Sequence, residues 1–231
     1  MLSNETLKKL QTEQKKLDEF IVRNNNITDN FKSKESFIRT KIALLVEIGE
    51  LANELKTFKH WKKRKEINWE KVKEELIDCL HFYLSWVNSF QIDFADYKFQ
   101  KLAPEPDYNQ LLLALFSETE AFSINVPWNI IKQNAIANFE KSWQKNLNDL
   151  GENPKKEEFE KEMEKVKKDI EKTNISLLEG IKEEKNKSSF YRWLIIFEEL
   201  AQKLGMKNEK DIENAYLAKN KINWERQKSN Y

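Results

Sequence analysis

Residues that let a chain reverse direction cheaply are scarce in this sequence: four glycines and four prolines in 231 residues. A many-stranded sheet needs tight turns built on those residues, whereas helices accept Lys, Glu and Leu almost anywhere. With 39% apolar residues the chain can bury a substantial core. The expectation is an all-α helical bundle, a single domain over residues 1–231 with a charged helical insertion at about 150–187.

Apolar periodicity places the helices. Leu7, Leu10, Leu17 and Ile21 recur at three- and four-residue steps, predicting a helix from about Asn4 to Val22, and Gln14 lies on the same face. Ser33 can cap a second helix reaching about Thr57, and a third runs from about Trp69 to Phe90, apolar on most sides towards its end. Further helices are expected at about 108–123, at 127–149 with Pro127 in its first turn, at 188–204 ending on Gly205, and at 208–228. Between Lys155 and Lys172, 14 of 18 residues are charged. Phe159, Met163, Val166 and Ile170 nevertheless keep a thin helical seam, which suits either a solvated peripheral helix or a partner-binding arm.

The 40 basic and 39 acidic side chains nearly cancel, so no long-range field gathers nucleic acid or an anionic membrane. A polyanion must be held locally. Cys79 is the only cysteine, which excludes an internal disulfide and a cysteine-based zinc site and fits a reducing compartment. No apolar run is long enough to span a bilayer, and the N-terminal stretch lacks the apolar segment of a signal peptide. A cytoplasmic protein with neither nucleic-acid nor membrane partners is expected.

Two paired-acid motifs carry the chemistry: Glu47-x-x-Glu50 on the second helix and Glu75-x-x-Asp78 on the third. Residues three apart share one side of a helix, so each motif points two carboxylates the same way. Ala43 and Leu51 flank the first pair, and Val72, Cys79 and Phe82 share the arc of the second, so the acids face inward. Such a group of carboxylates in a partly dry space needs protons or cations. Hard oxygen ligands without cysteine point to Mg²⁺ or Mn²⁺, and carboxylate-held ions of that kind suit phosphoryl chemistry.

The block from Glu47 to Trp86 resembles the core of the dimeric dUTPases, all-α nucleoside triphosphate pyrophosphatases, most of all those of Gram-positive bacteria and their phages. EQKKLDE in the first helix, TFKHWKK after the second and YLAKNKINWERQKSNY at the C-terminal end extend the match. The last follows the family pattern through Tyr216, Lys219, Asn220, Asn223, Arg226, Gln227 and Tyr231, with Asn230 in place of a glycine. On a helix the first six of these fall within one broad arc, so cations and amides converge on one face.

The resemblance implies a homodimer that hydrolyses dUTP to dUMP and pyrophosphate; dUDP is a further candidate substrate. It implies that Glu47, Glu50, Glu75 and Asp78 hold two or three Mg²⁺ ions, with Glu47 helping to deprotonate a water that attacks the α-phosphorus. Gln14, Asn53 and Trp61 become members of a uracil and deoxyribose pocket, with Lys59 and Lys62 near the phosphates. Asp18 stands where many relatives carry asparagine. Lys59, Trp61 and Lys62 equally suit a surface cluster around a packed indole. His81, three residues past Asp78, suits either the site or the core. Two other functions stay open: a pyrophosphatase acting on dCTP or another non-standard nucleotide, and a non-enzymatic helical scaffold.

Overall fold

The computed structural model describes residues 1–25, 27, 34–63, 66–122 and 187–229, together with 161, 164 and 165. The chain forms two compact units, one of residues 1–122 and 187–231 and a second of 123–186. The expected helix at 127–149 and nearly all of the charged 155–172 segment lie outside the described residues. So do Ser33, Asn230 and Tyr231.

The first unit is helical. Helix α1 spans Asn4–Asn24, α2 Lys34–Leu55, α3 Trp69–Phe90 and α4 Tyr108–Ala121. Helix α5 covers 187–203 and α6 Glu209–Lys228. Local chemistry sets the ends. Ser3 caps α1 by accepting from the Thr6 amide, and Asn68 caps α3 by accepting from the Lys71 amide. Asn208 and Asp211 form a reciprocal capping box at the start of α6. Gly205, at φ +88°, supplies the left-handed residue that ends the run of α5, a conformation that strains any residue with a Cβ.

Helix α3 is the central element: α2, α1 and α6 all pack on it. Leu76, Leu80, Tyr83, Leu84, Trp86 and Val87 on this helix are fully buried. Aromatic packing locks α5 to it. Tyr83 stacks on Trp193 with ring centroids 4.1 Å apart, and its hydroxyl donates to the Phe190 carbonyl. Phe122, just past α4, stacks on Phe190 at 4.4 Å. Such pairs add about 0.5–1.5 kcal/mol beyond area burial. The Trp193 indole donates to Thr119 Oγ1, so the buried N–H has a partner.

Helix α2 turns Leu44, Ile48, Leu51 and Leu55 onto α3. Glu47 precedes Ile48 and is therefore drawn to the edge of that contact. Helix α6 packs on α1 and α3, bringing Tyr216, Lys219 and Asn220 against the middle of the bundle.

Candidate functional site

Three of the four motif acids meet. One carboxylate oxygen from each of Glu47, Glu75 and Asp78 lies within 4.8 Å of the other two. Glu75 is buried; Glu47 and Asp78 are half-buried. Glu50 does not join them: it is exposed, although its charge is felt by Glu47. The reason is rotational. The residues of α2 that face α3 are Leu44, Ile48, Leu51 and Leu55, and Glu50 stands further round the helix than Glu47.

Burial, followed by the charges of Asp78, Glu50 and Glu75, pushes the Glu47 carboxyl up to about 7. Burial also raises Asp78, against the pull of Lys219. The Lys219 ammonium reaches Asp78 Oδ2 at 2.6 Å and Glu74 Oε1 at 2.7 Å. Burial alone would discharge that amine, but these hydrogen bonds outweigh it and raise its pKa. Lys71 pairs with Glu75 Oε1 at 2.9 Å and with Glu74 Oε2 at 3.1 Å. The acids thus sit in a partly dry space, one carboxyl holding a proton near neutrality and two tied to ammoniums. Clustered hard oxygens, short of positive charge, fit a hard divalent cation.

Beside the acids lies a buried polar network. Gln14 Nε2 donates to Asp18 Oδ1 at 2.7 Å and to Ser85 Oγ at 3.1 Å. Gln14 Oε1 accepts from the Tyr216 hydroxyl and faces His81 Nδ1, both at 2.7 Å. The Gln14 amide, set on an apolar helix face, thus has four partners. Ser85 Oγ also donates to Asp18 Oδ1, so both donors converge on that oxygen. Burial pushes Asp18 up to about 7 despite them. Burial, helped by the Lys219 charge, pushes His81 down to about 3, so its ring is neutral. An acceptor at Nδ1 assigns the hydrogen there and leaves Nε2 a lone pair, buried and without a hydrogen-bond partner among the described residues. The ring stacks on Tyr216 with centroids 4.1 Å apart. One turn further along α6, the buried Asn220 side chain bears on the Tyr216 hydroxyl, and its Nδ2 has no other partner among the described residues.

The other expected residues divide. Asn53 and Lys62 are exposed, and Trp61 is 63% exposed, meeting Phe58 and His60 edge-on. Lys59 lies over the Phe58 ring and within 3.5 Å of the Asn53 carbonyl. On α6, Asn223 is half-buried and Arg226 exposed. Gln227 ties α6 to the end of α1, its Oε1 accepting from Asn25 and its carbonyl from Asn24. The arc expected to face one ligand therefore serves partly as an interhelical seam.

Sequence reasoning missed Lys71, Glu74 and Ser85. Lys71 and Glu75 stand four apart, a pairing distance on a helix, and Ser85 follows His81 by the same step. Both were visible as spacings. Nothing local to Glu74 announced its partner Lys219, 145 positions away.

A trio of carboxylates thus stands on adjacent helices, with lysines and buried amides alongside. The chain matches the dUTPase family over residues 6–176 and 139–231, and it belongs to that family. It is accordingly a hydrolase of nucleoside triphosphates, with dUTP diphosphatase activity. Searches of curated proteins and of solved structures each gave no match. No described helix is long and apolar enough to cross a membrane.

Proposed function

We propose that this cytoplasmic enzyme, working as a homodimer, hydrolyses dUTP to dUMP and pyrophosphate by attack of water on the α-phosphorus, with Mg²⁺ as its cation. The observation that carries the reading is the convergence of Glu47, Glu75 and Asp78 within 4.8 Å on helices α2 and α3. Glu47, Glu75 and Asp78 would hold the ion, and Glu50 remains a candidate fourth ligand. Bound there, Mg²⁺ neutralises phosphate oxygens and lowers the cost of forming hydroxide from water.

The chain's own groups supply the rest. Glu47, whose carboxyl titrates near neutrality, is matched to taking a proton from the attacking water. Lys219, beside Asp78, would meet the phosphate tail, and the exposed Arg226 and Lys62 and the half-buried Lys59 are further candidates for its outer end. His81 Nε2 and Asn220 Nδ2, a buried acceptor and a buried donor flanking Tyr216, suit a nucleoside whose edge offers a donor and an acceptor. Leaving them unpaired with a mismatched base would cost selectivity. Gln14 and Asp18 would act behind them by fixing the His81 ring, and Asn53, Trp61, Asn223, Gln227 and Tyr231 remain candidate substrate contacts.

The test is pyrophosphate release from each deoxynucleoside triphosphate, and from dUDP as phosphate release, in Mg²⁺ and in Mn²⁺. Turnover of dUTP above the others, lost in Asp78→Ala with helical circular dichroism intact, is the expected result. Preference for dCTP would move the reading to another base, and full activity in Asp78→Ala would remove the metal assignment.

A further inference from the structure

Glu74 stands outside the acidic trio, yet both ammoniums that neutralise the trio meet on it. Its Oε1 accepts from Lys219 at 2.7 Å and its Oε2 from Lys71 at 3.1 Å. The same Lys219 holds Asp78 Oδ2 at 2.6 Å, and the same Lys71 holds Glu75 Oε1 at 2.9 Å. One carboxylate therefore gives one oxygen to each lysine.

A divalent cation among Glu47, Glu75 and Asp78 needs oxygens that these ammoniums now hold, and like charges a few ångströms apart repel strongly in a partly dry site. The lysines differ in where they can go. The Lys71 side chain is 42% exposed and can turn to water. The Lys219 side chain is 9% exposed, so leaving Asp78 without another acceptor would strand a buried charge. Glu74 already offers that acceptor.

Resting on the metal-site reading above, we propose that Glu74 is a positioning residue. It retains the Lys219 ammonium when a divalent cation takes Asp78, and it holds that ammonium beside the acids as a ligand for phosphate oxygens. Glu74 touches neither water nor phosphorus; it acts through Lys219.

The test is calorimetric titration of the full chain with MnCl2, using Glu74→Gln, Glu74→Asp, Lys219→Met, Asp78→Asn and the Glu74→Gln/Lys219→Met double variant. Glu74→Gln is expected to weaken Mn²⁺ binding by roughly tenfold or more, as loss of a residue supporting a metal ligand commonly does. Glu74→Asp restores most of it. In the Lys219→Met background, with no ammonium to rehouse, the Glu74→Gln loss should largely vanish, because the two effects are coupled. In turnover, Glu74→Gln raises KM for dUTP more than it lowers kcat.

Unchanged Mn²⁺ affinity in Glu74→Gln would overturn the proposal. So would a loss of equal size with and without Lys219, which marks a general effect of charge. Circular dichroism melts show whether each variant is folded. No Mn²⁺ binding by the unaltered chain, or binding undiminished in Asp78→Asn, would overturn the metal-site reading itself, a result distinct from failure of Glu74 alone.

Discussion

Gln14 shows how much one side chain can organise. Its amide oxygen accepts from Tyr216 and faces His81 Nδ1, and its nitrogen donates to Asp18 and Ser85. Gln14→Leu keeps the bulk but leaves those buried groups short of partners, each at about 1–3 kcal/mol. Chemical denaturation should register a loss of at least that size. Asp18 gives a pH signature. Its carboxyl rises from 3.8 to about 7 on folding, so the folded state favours its protonated form. That stabilisation is complete below the unfolded pKa and is lost as pH rises through about 7. Metal-free protein should therefore melt lower at pH 8 than at pH 5.5, and Asp18→Asn should reduce the slope, leaving the share of Glu47. Among the motif acids the structure ranks effects: Glu50→Gln, at an exposed position outside the trio, should impair turnover less than Asp78→Asn in matched assays.

At the level of helices, a side chain three or four positions from its partner could be read from the sequence, and one far away could not. Helix α3, Trp69 to Phe90, was legible from its apolar run, and the structure closes its ends with the Asn68 cap and the left-handed Gln91. The inward turn of Glu47, Glu75 and Asp78 followed from helical phase. That phase failed for Glu50, because the contact between α2 and α3 is centred on Ile48 and Leu51 and decides which side is covered. The Lys219 ammonium lies on Asp78, 141 positions earlier, a pairing that the packing of α6 on α3 creates and that no local spacing announces. The same holds for Tyr216 and Gln14, 202 positions apart. The joint between α5 and α6 offers a test independent of chemistry. Gly205→Ala, at φ +88°, should cost about 1–2 kcal/mol in thermal or chemical unfolding, with activity per folded molecule unchanged.

For the molecule as a whole, the acids that would hold a cation also repel one another when it is absent. An ion bound only by the folded state must stabilise it by mass action, so Mg²⁺ should raise the melting temperature in a concentration-dependent way. Asp78→Asn should abolish that rise, and differential scanning calorimetry with and without a chelator checks both.

Helices α2 and α3 bring the carboxylates together, and of the two ammoniums that steady them Lys71 comes from α3 itself, whereas Lys219 reaches Asp78 from α6. During synthesis the acids leave the ribosome long before residue 219 does. A prematurely stopped product that packed α2 on α3 would keep Lys71 beside Glu75 but lack the second ammonium, the one that reaches Asp78.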